Sequence, residues 1–225
     1  MSTTLPGQGE KGYRGLPMEW FLARWYARNT ARNMADYRKA AEVVAGQVAA
    51  GASVLEVAPG PGYLAIELAK LGPYRVAGLD ISKSFVQMAT ANAMGAGVAV
   101  TFHHGDAARM PFDPESFDFI VCRAAFKNFA APVQALREMH RVLKPGGRAL
   151  IIDLRPDASA EAIAAHVKDM KLGWINSLLT RLIFKYMLLK RAYTQEQFRQ
   201  MASQTPFGVC EIREDPIGLA VSLTK

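Results

Sequence analysis

Cysteine is scarce. The 225 residues hold two, Cys122 and Cys210, 88 positions apart. They can form no disulfide framework, and with only four histidines the chain shows no cluster of metal-ligand spacing. No metal is therefore expected, and a reducing, cytoplasmic setting fits. An apolar leader is also lacking. The opening MSTTLPGQGEKGYRGLP is polar and glycine-rich where a signal peptide carries a hydrophobic run, so none is read there. Long hydrophobic runs are missing too. The most apolar stretch, Trp174 to Leu189, is interrupted by Asn176, Ser177, Thr180, Arg181 and Lys185, too short and too polar to cross a bilayer. There is no internal repeat and no low-complexity segment. Half the residues are hydrophobic and 21% are charged, the balance of one ordinary globular domain with a full core.

Acid falls short of base, and the net charge is +7. Residues 11–41 carry seven Lys/Arg against two acids, and residues 161–199 seven against three, so the rest of the chain sums to −2. Two basic flanks could attract nucleic acid, an anionic membrane or an acidic substrate. The solvated faces of two amphipathic helices account for the same charge, and neither flank has the aromatic-and-basic pattern of an RNA-binding module.

Hydrophobic periodicity predicts a helix over Met18 to Ala50, on Trp20, Trp25, Met34, Tyr37, Ala41 and Val44. The pattern then changes. Strands are expected at Ser53–Ala58, Tyr74–Asp80, Val98–His103, Phe117–Cys122 and Arg148–Leu154. Helices are expected between them at Tyr63–Leu71, Ser82–Met94 and Ala131–Leu143, the last stopped by Lys-Pro-Gly-Gly at 144–147. Such alternation implies a parallel sheet covered on both faces. It ceases after Leu154. Residues 158–192 read as one or two helices, Thr194-Gln-Glu-Gln197 as a capping box, and Gly208–Leu223 as an antiparallel hairpin around Asp215-Pro216. A single domain over 1–225 is expected, with a helical cap (1–45), a cofactor-binding core (46–157), a helical lid insertion (158–192) and a last helix plus hairpin (193–225).

Ligands of doubly wound sheets bind beyond the carboxyl ends of the strands, so those ends carry the functional reading. Gly60-x-Gly62-x-x-Ala65, with Asp80 twenty residues after Gly60, fits a loose nucleotide-cofactor fingerprint open to NAD, FAD or S-adenosylmethionine. Three details separate these. Glu56 stands inside the first strand, where a carboxylate suits a cationic amino group. Pro59 and Pro61 remove two backbone donors that a pyrophosphate would need. Asp106, after the third strand, is placed to accept from an adenine amino group.

Together VLEVAPGPGYLAIELAK, VAGLDIS, GDAARMPF, FDFIVCRAAFKNF and LREMHRVLKPGGRALIIDL, in this order, resemble the class I S-adenosylmethionine-dependent methyltransferases. The nearest branch is the small-molecule one related to ubiquinone/menaquinone biosynthesis methyltransferases. The likeness covers about residues 40–155. It departs at Ala58-Pro59, where many members have glycine or another small residue. The resemblance implies a Rossmann-like, mostly parallel seven-stranded sheet with an antiparallel C-terminal hairpin. It implies S-adenosylmethionine held at the methionine end by Glu56 and by Ala58, Gly60 and Gly62. The ribose would be held by Asp80, and the adenine by Ile81, Asp106 and Ala107, with Arg123 near the sulfonium. Blander roles exist for each alone: a tight turn for the glycines, a helix N-terminal acid for Asp80, a turn cap for Asp106.

No catalytic residue is assigned. Methyl transfer rests on positioning and desolvation, with proton removal only for some acceptors. The candidates are Lys127 (a substrate-anion partner or a surface lysine), His103 and His104 (turn or surface after the third strand), His140 (solvated beside Arg137 and Arg141), His166, Tyr26 and Tyr37. Cys122 reads as a buried core thiol. The insertion, rich in Met170, Leu172, Trp174, Ile175, Leu178 and Phe184, reads as a packed helix, as a wall of the acceptor pocket, or as a basic amphipathic face on a membrane. The expected function is methyl transfer to a small apolar or aromatic acceptor. An RNA methyltransferase lacks support from an RNA-binding appendage or an NPPY-like tetrapeptide, since Arg-Ala-Ala-Phe stands there. A non-catalytic cofactor-binding module and an NAD oxidoreductase stay open as rival readings. The sequence names neither the acceptor nor an oligomeric state.

Overall fold

The computed structural model describes residues 12–14, 18–169 and 188–225. Seven strands form one sheet in the order β3-β2-β1-β4-β5-β7-β6. They are β1 (Ser53–Val57), β2 (Arg75–Asp80), β3 (Val100–His104), β4 (Phe117–Arg123), β5 (Leu143–Leu154), β6 (Glu211–Glu214) and β7 (Gly218–Thr224). β1 is buried at every position, because it pairs in parallel with β2 on one side and β4 on the other. A strand so enclosed must be apolar on both faces, and SVLEV is, apart from Ser53 at its start and Glu56. β7 runs antiparallel to both β5 and β6. The Asp215 carboxylate accepts from the Ile217 and Gly218 N–H groups and so fixes the hairpin turn.

Alternate residues of the strands feed two cores, as a period of two requires. Leu55, Val57, Ile120 and Ile151 pack under Leu136 and Met139 of α5 (Pro132–Val142) and Phe198 of α7 (Gln195–Ser203). Val54, Phe119, Val121 and Leu150 pack under Leu64 and Leu68 of α3 (Tyr63–Leu71) and Ala41 and Val44 of α2 (Met34–Ala45). α4 (Lys83–Gly95) is capped by Ser82, whose hydroxyl accepts from the Phe85 N–H, and α7 begins with the full capping box of Thr194 and Gln197.

Two expectations need correction. The helix predicted from Met18 to Ala50 is divided: α1 (Trp20–Thr30) ends in a 3-10 turn at Ala31–Asn33 before α2 starts. The Thr30 hydroxyl turns back onto the Tyr26 and Ala27 carbonyls, a local bond of the kind that bends helices. Lys-Pro-Gly-Gly does not merely precede the fifth strand but lies within β5. The register slips between Phe117 and Phe119, Gly146 takes a φ of 76°, and Lys144 returns to the sheet as an ion pair with Asp118.

Within the 158–192 insertion the described residues form α6 (Ala160–Asp169) and a short turn at Leu189–Arg191, where Ile163, Val167 and Leu189 make a small core of their own. Its other apolar residues, from Met170 to Met187, lie outside the described residues. Among the described residues no helix is long and apolar enough to cross a membrane, and no group of three or more His, Cys, Asp or Glu could hold a metal ion.

Candidate active site at the strand carboxyl ends

The strand order reverses between β1 and β4, and the loops leaving β1, β2, β3 and β4 meet at this crevice. The β1–α3 loop is bent by three positive φ angles, at Ala58 (58°), Gly60 (55°) and Gly62 (80°). Alanine in that region is uncommon. It is held there because the Ala58 N–H donates to the Leu79 carbonyl at the end of β2. The two glycines serve different ends. A Cβ on Gly62 would lie 2.7 Å from Phe102 and 2.9 Å from Ala89, so packing forbids it. Among the described residues, one on Gly60 would meet only Tyr26, at 3.9 Å. Gly60 faces open space, which is the cradle that a bound ligand needs.

Asp80 closes the cradle. One carboxylate oxygen accepts the Gly60 N–H at 3.0 Å and the other the Ser82 N–H at 2.8 Å. Burial raises its pKa from 3.8 to about 6, although both bonds oppose the shift. Glu56 is buried as deeply. Its carboxylate accepts the Ala65 N–H in the first turn of α3 at 2.9 Å, and burial lifts its pKa to about 8 against the pull of that bond and of Arg123. Arg123, at the end of β4, lays its guanidinium 4.7 Å above the Tyr37 ring. Among the described residues it has no hydrogen-bond acceptor and no carboxylate within ion-pair distance. Tyr37 stands edge-on to Tyr63, and Tyr26 edge-on to Phe85. Burial raises the pKa of Tyr26 and Tyr37, so both phenols stay protonated near neutrality.

At the other end of the crevice, the Asp106 carboxylate accepts the Ala108 N–H and the Ile81 side chain is exposed. Both lie against Gly12. The short segment Gly12–Arg14 thus begins over Asp106 and Ile81. It then pairs with the loop after β4: Tyr13 bridges to Phe129, the Arg14 N–H donates to the Asn128 carbonyl, and the Ala130 N–H donates to the Gly12 carbonyl. Arg14 also donates to the Tyr193 hydroxyl. This strap crosses the crevice. Sequence reasoning missed it, as it missed Glu19, whose carboxylate accepts from the Lys83 and Ser84 N–H groups and pins α1 to the start of α4. Neither sits in a periodic pattern. The one usable signal was an aromatic residue and an arginine inside a glycine-rich leader.

The positions read from the sequence as cofactor contacts therefore lie at the carboxyl ends of β1 to β4 or in the loops that follow. The side candidates fare differently. Lys127 is neither exposed nor free for a substrate anion. It is buried, and its ammonium donates to Asp153 at 2.7 Å and to the Ala124 carbonyl, while Asp153 also accepts the Lys127 and Leu154 N–H groups. His103 and His104 end β3 rather than following it. His103 packs edge-on to Phe112, and the His104 Nε2–H donates to the Ile81 carbonyl. His140 is half-buried against Phe207, and that burial lowers its pKa. His166 lies half-buried in α6. Cys122 is fully buried, with its thiol pKa raised by desolvation.

This fold, with a glycine cradle and acids near the ends of β1 and β2 and after β3, is that of a class I S-adenosylmethionine-dependent methyltransferase. Residues 55–151 match the methyltransferase domain family. The chain is 40% identical over 107 residues to the demethylmenaquinone methyltransferase of Deinococcus radiodurans, a match covering 47% of this chain and 44% of that protein. It thus spans less than half of that relative's length. A longer match, 30% identical over 183 residues, covers 77% of the chain and 72% of the ubiquinone/menaquinone biosynthesis C-methyltransferase of Geobacter sulfurreducens. A crystal structure from Methanococcus maripaludis, of a protein proposed to be an S-adenosyl-L-methionine-dependent methyltransferase, shares the fold with a TM-score of 0.75 over 97% of both chains at 22% identity. The chain belongs to the ubiquinone/menaquinone biosynthesis C-methyltransferase family.

Proposed function

We propose that this protein binds S-adenosylmethionine in the crevice and transfers its methyl group to a small apolar or aromatic acceptor, a hydroxylated quinol-type ring carbon being the leading case. The carrying observation is the Gly60 cradle closed by Asp80, with open space in front of Gly60. When bound, the cofactor supplies a methyl group already activated on a sulfonium. Asp80 has two oxygens fixed by backbone N–H groups, so its remaining lone pairs can accept from vicinal hydroxyls. The Glu56 carboxyl and the Arg123 guanidinium stand at the same edge, and a ligand's amino group would favour the ionised carboxylate, so the two suit a zwitterionic amino-acid end. Ala58 and Gly62 shape the loop, while Ile81, Asp106 and Ala107 border the far end, where a flat heteroaromatic group would lie. The names of the two relatives point to a ring-carbon acceptor, and the Tyr26 and Tyr37 phenols, kept protonated, are suited to donating to an acceptor oxygen.

Incubation with methyl-labelled cofactor and a panel of demethylated quinols, phenols and transfer RNA tests this reading. Label on a quinol or phenol supports it. Label only on RNA, or tight binding of NAD in place of S-adenosylhomocysteine, overturns it.

A further inference from the structure

Helix α1 is amphipathic in the wrong sense for folding. Its inward face is made of Ala23 and Ala27, both buried, with Tyr26. Its outward face carries Trp20, Phe21 and Trp25, which are 83%, 79% and 52% exposed. A helix that only packed on its domain would turn these aromatics inward and the alanines out. The cations share the outward face. At about 100° per residue, Trp20, Arg24, Arg28, Phe21 and Trp25 fall within an arc of about 140°. Arg24 and Arg28 are exposed, and the helix contains no acid. The one acid beside it, Glu19, is committed to the α4 N-terminus. Trp20 itself takes a φ of 49°, a conformation that a bulky residue rarely adopts.

We propose that the outward face of α1 is a peripheral docking surface for a bilayer of anionic phospholipid. Indole rings settle at the headgroup level of a membrane, phenylalanine reaches just below it, and arginine beside them pairs with phosphates while its stem stays in apolar surroundings. The surrounding flank, residues 11–41, has seven cations against two acids, which complements an anionic surface. The exposed aromatics and arginines share one side of a single helix, so the face suits a flat, deformable partner better than a peptide that needs a groove. Single-stranded RNA would want a sheet or channel on which bases could stack in succession. The orientation follows from the tethers. Trp20 N–H donates to the Ser84 hydroxyl and Ser82 donates to the Met18 carbonyl, so the exposed aromatics sit beside the Asp80 end of the crevice. Docking through α1 would turn the crevice mouth toward the lipid. The insertion, considered from the sequence as a membrane face, is not needed for this.

Vesicle co-sedimentation of the full chain tests the proposal, with phosphatidylcholine alone and with phosphatidylglycerol added. Binding is expected to the anionic vesicles only, weakening with salt, with a blue shift of tryptophan emission. The triple variant Trp20→Ser, Phe21→Ser, Trp25→Ser should lose at least about tenfold in partitioning. Arg24→Gln with Arg28→Gln should lose roughly 25-fold, about fivefold for each cation near the surface. Both variants should keep the native circular dichroism spectrum and the affinity for S-adenosylhomocysteine. Indifference of the unaltered chain to anionic vesicles overturns the proposal. So does full partitioning by the triple variant. So, too, does loss of a concentration-dependent dimer or of RNA binding in that variant while vesicle binding is unchanged.

Discussion

Replacing Asp80 with alanine probes the crevice where structure and ligand share one group. The carboxylate satisfies two buried backbone donors, Gly60 N–H and Ser82 N–H. Leaving each unpaired costs about 1–3 kcal/mol, so stability should fall by about 2–6 kcal/mol, which a domain of ordinary stability of about 5–15 kcal/mol survives. Loss of the hydroxyl-accepting oxygens should weaken S-adenosylhomocysteine by about 1–3 kcal/mol, or about 5- to 150-fold in Kd. The same group sets a pH dependence. Burial, opposed by the Ser82 and Gly60 bonds, raises its pKa from 3.8 to about 6. An acid raised on folding stabilises the native state fully only below its unfolded pKa. That contribution, about 3 kcal/mol for a shift of this size, is lost as pH rises from about 4 through about 6. Ligand affinity runs the other way, because only the ionised carboxylate accepts from two hydroxyls. Affinity should fall as pH drops below about 6 in the unaltered protein and stay nearly flat there in Asp80→Asn. Glu56, at about 8, titrates outside that window. Calorimetry between pH 5 and 8, with urea unfolding in parallel, reads both effects. Unchanged affinity in Asp80→Ala with a native circular dichroism spectrum would refute the assignment.

Gly60→Val should abolish S-adenosylhomocysteine binding and leave a folded protein, since the added side chain enters the open space under Tyr26 at a φ of 55°; calorimetry with circular dichroism checks it. Lys127→Met should cost about 3–5 kcal/mol in urea unfolding by leaving Asp153 charged, buried and without its cation, whereas a lysine serving only an acceptor would change turnover and not the midpoint. If the Gly12–Arg14 strap closes over the cofactor, hydrogen exchange in residues 12–14 should slow on addition of S-adenosylhomocysteine; a response confined to the loops at Gly62, Asp80 and Asp106 would exclude it.

The parts of the fold that were legible in the sequence are those governed by local rules. The carboxyl ends of the strands fell within about one residue and the starts of β1 to β4 within about two, because Gly-Pro, Pro-Gly and capping residues act locally. Ser82 and Thr194 cap helices for the same reason. The misplacements are tertiary. Thr30 breaks the first helix by a bond that competes with the helical ladder, and the bulge that keeps Lys-Pro-Gly-Gly inside β5 depends on Asp118, 26 residues away. The residues read as cofactor contacts gather at one edge because a doubly wound sheet brings the carboxyl ends of its parallel strands there, whatever the side chains do. Lys127 could not be placed: its partner Asp153 lies on another strand, and nothing in FKNF announces an ion pair.

The distribution of unmatched charge separates a functional reading of these acids from a structural one. Where the fold buries a charge for its own sake, it supplies a partner. Burial alone would raise the pKa of Glu67, but Lys70 and Arg38 bring it below the ordinary value. Asp118 is likewise brought down by Lys144 and the Ser53 N–H, against the desolvation it suffers. Asp153 has Lys127. At the strand carboxyl ends the pattern inverts. Glu56 and Asp80 receive backbone N–H bonds but, among the described residues, no ion-pair partner, and burial prevails in both. Arg123 lies close enough to lower the Glu56 pKa, yet rests on the face of Tyr37 rather than on a carboxylate. Folding gains nothing from two desolvated acids and a cation held just out of reach of one another. A ligand with a cationic amino group, a carboxylate and vicinal hydroxyls would satisfy all three at once, so the cost borne at this edge in the free protein is recovered on binding.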